Sequence, residues 1–150
     1  MQIGNHQHNY QWTEKWGQIP DTDSAREGWA HHGIVVSNTS NVISFHQGEK
    51  SLITFDSNGT LVDSCATSVQ NAHGMTLVQE GDDEFIWLAD NVSGQVVKVD
   101  LGGNVVANIS RPDIEIYASG GKYSPTDVAV YEERLGGKGE IIVTDGYGSS

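Results

Sequence analysis

The strongest constraint on how this chain folds is an internal repeat with a period of about 40 residues. The first unit begins His32-Gly33-Ile34-Val35-Val36 and continues with NVISFH over 41–46, SLITFD over 51–56 and NGTLVD over 58–63. The second begins His73-Gly74-Met75-Thr76-Leu77-Val78 and continues with EFIWLAD over 84–90, QVVKVD over 95–100 and GNVVA over 103–107. The third begins Thr126-Asp127-Val128-Ala129-Val130 and adds a single further run, EIIVTD over 140–145. The joints between runs carry tight-turn chemistry: Ser37-Asn38, Asn58-Gly59, Gly81-Asp82 and Gly102-Gly103. Every run is too short, and too closely flanked by glycine, to be a helix.

Four short apolar runs joined by hairpin turns, repeated, are the pattern of a β-propeller blade, a four-stranded antiparallel meander. The expected fold is therefore all-β, with blades over about 29–67, 70–110 and 123–150, the last incomplete. Within Gln95-Val96-Val97-Lys98-Val99 the alternation predicts a strand with one buried face. Residues 10–16, YQWTEKW, alternate aromatic and polar side chains. They read either as an outer strand that completes the last blade and closes the ring, or as a free edge strand of a small sheet. Residues 1–9 are expected to be a flexible N-terminus. Two and a half blades cannot close a ring, since propellers use at least four. The missing blades are expected from the rest of a longer chain or from a second copy.

Composition narrows the partners. Eighteen glycines against three prolines fit many short strands, and a hydrophobic content of 37% allows only a lean core. Eight basic against twenty acidic residues give a formal charge of −12, which repels phosphate backbones and anionic lipid. Neither nucleic acid nor membrane is an expected partner. No apolar run reaches the ~20 residues that span a bilayer, and the opening MQIGNHQHNY has no signal-peptide character. Cys65 is the only cysteine, so neither an intrachain disulfide nor a cysteine-cluster zinc site can form. The sequons at Asn38, Asn58, Asn91 and Asn108 fit chance in a chain this rich in Asn, Ser and Thr.

Two segments, HGMTLVQEGDDEFIWLADNVSGQVVKVD and SPTDVAVYEERLGGKGEIIVTDGYGSS, resemble blades of six-bladed NHL-type propellers, and more narrowly the peptidyl-α-hydroxyglycine α-amidating lyase family. The entry region EKWGQIPDTDSAREGWAHHGIVV, followed by VISFHQGEKSLITFDSNG, adds to the likeness. The resemblance implies a lyase that cleaves a peptidyl α-hydroxyglycine to a peptide amide and glyoxylate, with a zinc ion held by histidines of different blades and a calcium ion held largely by backbone carbonyls. It implies that His73 is a zinc ligand, that the carbonyls of Ile34 and Met75 face calcium, and that Tyr147 is the catalytic base. Neutral imidazole suits zinc, carbonyl oxygen suits calcium, and a phenol near a metal can take a hydroxyl proton. The family carries an arginine after Phe-His. This chain has Phe45-His46-Gln47. Glutamine can donate a hydrogen bond to substrate but lacks the charged fork, which argues for an altered substrate or lost activity.

Spacing alone leaves plainer readings open. His73 also reads as an entry-turn histidine satisfied by backbone, because His32 stands at the same place in the first unit. Tyr147 also reads as a turn tyrosine over a glycine. Asp90 and Asp145 end equivalent runs and are expected to cap turns. His31-His32 and the pair His6 and His8 could chelate an adventitious metal, and Glu80, Asp82, Asp83 and Glu84 read as a solvated acidic loop. Beside the lyase stands a second function of another class: a non-catalytic NHL-type propeller that binds a protein or carbohydrate.

Overall fold

A computed structural model describes residues 1–23, Arg26 and 32–149; His31 and the expected blade start near residue 29 lie outside them. The described chain is all-β, built on antiparallel sheets. The first sheet orders β3 (Ile34–Val36), β4 (Val42–Phe45), β5 (Leu52–Phe55) and β6 (Leu61–Cys65) as a meander. The second orders β7 (Ala72–Glu80), β8 (Asp83–Asp90), β9 (Gln95–Asp100) and β10 (Val105–Ile109) in the same way. The third has two strands, β11 (Asp127–Tyr131) and β12 (Glu140–Thr144), so the repeat seen in the sequence is a repeat of hairpin-joined strands.

The second sheet is packed on both faces. Met75, Ile86, Leu88, Val97 and Val99 point to the first sheet and form one core with Val35, Ile43, Phe45 and Leu52. Val78, Trp87, Ala89 and Val96 point the other way and meet Val128, Val130 and Val143 of the third sheet. Period-two alternation sends neighbours such as Ile86 and Trp87 to opposite cores, so β8 is apolar without a break from Phe85 to Ala89. The same geometry corrects the expectation for 95–99. Val96, Val97, Lys98 and Val99 are all buried, so both faces of β9 are covered. Lys98, 8% exposed, is accommodated by an ion pair to Glu80 at 2.5 Å and by the Phe85 ring 4.2 Å from its ammonium.

The N-terminal segment forms a small sheet of its own. Residues 1–9 and the start of the expected outer strand form an exposed hairpin, β1 (Gln2–Asn5) with β2 (His8–Gln11), turning at His6 with φ 51°. Tyr10 thus pairs with Ile3 rather than continuing an outer strand to Trp16. Trp16 instead packs its ring on Phe55 of the first sheet, centroids 5.8 Å apart, and Gly59 (φ 83°) lies so close to the Trp16 carbonyl that no side chain fits there. Between the second and third sheets the chain makes one short helix, α1 (Glu115–Ala118), whose Tyr117 is buried. No described helix is long and apolar enough to cross a membrane.

Candidate functional site

The His-Gly dipeptides are joints between neighbouring sheets. Nδ1 of His32 lies 2.7 Å from the Ala72 carbonyl at the start of β7, and Nδ1 of His73 lies 2.9 Å from the Thr126 carbonyl just before β11. A carbonyl can only accept, so in each ring Nδ1 carries the proton. The glycines let β3 approach β7 and β7 approach β11. A Cβ on Gly33 would stand 2.8 Å from Cβ of Met75, and one on Gly74 would stand 2.6 Å from Cα of Asp127. Both members of the dipeptide thus have a structural reason that involves no ligand.

His73 has something more. Ala72 is opposite Asp90 and Gly74 is opposite Ala89, so His73 is the extra residue of a β-bulge, a device that re-aims a side chain. With Nδ1 committed to Thr126, its lone pair is on Nε2, which faces the Tyr147 hydroxyl at 3.2 Å. The two rings meet edge to face, centroids 5.3 Å apart. His32 turns its ring edge against Phe45 instead, at 5.1 Å. The joint is common to both histidines, and the phenol partner belongs to His73.

Beside this pair opens a cleft of about 400 Å³ lined by His32, Ile34, His73, Met75, Thr126 and Asp127. His73, Ile34 and Met75 therefore come together, with Tyr147 touching His73. Gln47 is half-buried and is not among the residues lining the cleft. An imidazole whose Nδ1–H is tied to a backbone carbonyl has the tautomer and fixed orientation that metal-ligating histidines use. The lone pair that could hold a metal ion is the one on Nε2, which in this structure faces the Tyr147 hydroxyl. Among the described residues no group of three or more His, Cys, Asp or Glu side chains is arranged to hold a metal, so a zinc here would draw its other ligands from elsewhere. The half-buried Cys65 thiol is pushed up in pKa chiefly by burial, which disfavours the thiolate a metal needs.

The turn that carries Tyr147 is tied from below. Asp145 Oδ1 accepts from the Ser124 amide at 2.7 Å, and Oδ2 accepts from the Tyr117 hydroxyl at 2.6 Å. That bond, then burial and the carboxylate charge, push the Tyr117 phenol up to about 12. Gly148 sits against the same carboxylate, where a Cβ would be 2.2 Å from its carbon. On the far side of Tyr147, Ser149 exchanges two bonds with Lys122, both 2.8 Å. Asp90 holds the matching place in the second sheet, accepting from the amides of Gln70, Asn71, Val92 and Ser93. Asp90 caps its turn, as its position suggested, whereas the Asp145 carboxylate is spent on Ser124 and Tyr117 rather than on the turn that follows it.

Thr126, Asp127 and Tyr117 are the neighbours that sequence reasoning passed over. The motif PTDVAV pointed to the first two, while nothing local marks Tyr117, which reaches Asp145 from 28 positions away. Of the acidic loop, Glu80 is paired with Lys98 and Glu84 accepts from the Asn38 amide at 2.8 Å; Asp82 and Asp83 are exposed. His6 and His8 lie on the exposed N-terminal hairpin.

No family model matches the chain, and no curated protein is significantly similar to it.

Proposed function

We propose that the chain contributes blades to a six-bladed NHL-type β-propeller that acts as a metal-dependent lyase on a peptidyl α-hydroxyglycine or a related small hydroxy-amide. The observation that carries this reading is the His73–Tyr147 pair: an imidazole with Nδ1 fixed on Thr126, presenting Nε2 to a phenol at 3.2 Å beside a cleft. His73 would be one zinc ligand, and the carbonyls of Ile34 and Met75, which line that cleft, would face calcium. Bound zinc would supply Lewis acidity toward the substrate's oxygen and ease loss of the hydroxyl proton. As the phenolate, Tyr147 would take that proton and hand it to the departing amide nitrogen. The hydroxyl-bearing carbon becomes a carbonyl as its bond to nitrogen breaks, so the products are the peptide amide and glyoxylate. Gln47 donates a neutral hydrogen bond where the family has an arginine, so a carboxylate-bearing substrate is held less tightly.

The second reading, a non-catalytic propeller that binds a protein or carbohydrate, has its own support. The His32 joint shows the same Nδ1-to-carbonyl bond, with the Phe45 ring rather than a phenol against it among the described residues, so a His-Gly entry can serve packing. Metal content and turnover separate the two. The lyase reading expects zinc and calcium in the purified protein by elemental mass spectrometry, and glyoxylate release that falls in His73→Ala and Tyr147→Phe. Protein free of both metals after purification without chelator leaves the binding reading standing.

A further inference from the structure

We infer that Tyr117 is a positioning residue for Tyr147, acting through Asp145 to hold the phenol against His73. This rests on the reading of His73 and Tyr147 as a working pair. The argument starts from a difference between two matched turns. At Asp90 the carboxylate is spent on its own turn, accepting from the amides of Val92 and Ser93 as well as from the preceding loop. At Asp145 the preceding-loop contact is kept through Ser124, but the other oxygen takes the Tyr117 hydroxyl from α1. The turn 146–148 is thereby folded over an aspartate anchored from outside, and it carries Tyr147 at its crest.

The anchor is rigid. The Tyr117 ring is buried and packs edge-on against Tyr123, centroids 5.2 Å apart, and Ser124 next to it donates its hydroxyl to the Asn91 carbonyl. Asp145 is thus held by a loop that is itself tied to the second sheet, the sheet that carries His73. Tyr147, by contrast, is 55% exposed, so burial alone does not fix its ring. The Gly146 amide on the Thr126 hydroxyl and the Ser149 bonds to Lys122 finish the clamp. The chain supplies Tyr147 with orientation from Asp145 below, and with a partner, His73, in front.

The test reads geometry first and rate second. In the isotope-labelled full chain, the nuclear Overhauser cross-peak between the Tyr147 ring and the His73 imidazole, together with the His73 Nε2 nitrogen shift, reports the pair. Tyr117→Phe keeps the ring on Tyr123 and removes only the hydroxyl. Asp145→Asn leaves an acceptor for just one of its two donors. With Leu88 methyl resonances unchanged as the mark of an intact fold, either variant should lose at least half of the cross-peak and shift Nε2. Glyoxylate release from a peptidyl α-hydroxyglycine should lose at least tenfold in kcat with KM within twofold. A cross-peak and Nε2 shift equal to wild type in either folded variant overturns the positioning role, whatever the turnover. Loss of the cross-peak in a protein whose wild type releases no glyoxylate upholds the positioning role and sinks the lyase reading.

Discussion

His73 and Tyr147 are 74 positions apart in the chain, yet Nε2 of one and the phenolic oxygen of the other lie 3.2 Å from each other. Three things produce the meeting: the bulge that turns His73 out of the β7 ladder, the carbonyl of Thr126 that fixes its ring, and the Asp145 turn that lifts Tyr147 over it. The first two belong to the joint between sheets. The third is peculiar to this place.

Gly74→Ala tests the joint. Its Cβ would meet Asp127 Oδ1 at 2.3 Å and Cα at 2.6 Å, and strand backbone cannot step aside as a flexible side chain does. The variant should lose about 1–3 kcal/mol of unfolding free energy in a urea titration. A loss below ~0.5 kcal/mol would mean that β7 and β11 are further apart at this point.

Lys98 tests the second, unexpected buried face of β9. Its charge is desolvated and matched by one half-exposed carboxylate, Glu80. Lys98→Met keeps the length and the packing on Phe85 and removes the desolvation cost, so it should change stability by less than about 1 kcal/mol in either direction. Glu80→Gln leaves the ammonium without its counter-charge and should destabilise more than Lys98→Met does. The reverse order in urea titrations would contradict the pairing.

Stability should respond to pH from both sides. Glu132, bonded to Arg134 and to the Gln79 amide, and Asp100, bonded to Asn104, are held below their ordinary values of 4.5 and 3.8. A depressed carboxylate stabilises the fold above its unfolded value, so this contribution is lost as pH falls below about 4. Tyr117 works the other way. Its raised value means that the stabilisation is whole below pH 10 and drains away as pH climbs to about 12. Tyr117→Phe should melt lower than wild type at pH 8, with the gap closing above pH 10. A gap that stays constant to pH 12 would show that the Asp145 bond is absent.

Gln47→Arg tests the proposed substrate contact. Introducing a guanidinium should lower KM for a carboxylate-bearing hydroxyglycine peptide by about tenfold, as expected for a charge-assisted bond worth ~1.5–3 kcal/mol. An amidated substrate without the carboxylate should show no such gain. Equal gains on both substrates would detach Gln47 from the carboxylate.

The fold was legible where the physics is local. Asn58-Gly59 and Gly102-Gly103 announce hairpins because their glycines must turn with positive φ, and both Gly59 (83°) and Gly103 (84°) do. Burial was harder to read, because β9 lies between two neighbours and a buried Lys98 looks in sequence like a solvent-facing one. The N-terminal hairpin was hidden by a turn at Asn5-His6-Gln7-His8 that lacks glycine and places His6 in the left-handed region. The helix α1 was too short for a 3.6-residue period to register, although Gly120 and Gly121 mark its end. Within the site, His73 and Tyr147 stood out by resemblance and His73 by its repeat position, but their contact is non-local. The bond from Tyr117 to Asp145 has no signature in sequence at all.

The central claim is that His73 and Tyr147 form the reactive pair of a metal-dependent lyase. Its most direct measurement is glyoxylate release from a peptidyl α-hydroxyglycine by zinc- and calcium-replete protein, run beside His73→Ala, Tyr147→Phe and the control His8→Ala on the exposed N-terminal hairpin. The account predicts release matched one to one by peptide amide, a loss of at least 100-fold in the first two variants, as removal of a general base or a metal ligand gives, and near wild-type rates in His8→Ala. No release by the metal-replete protein, or equal rates across all three variants, would contradict it.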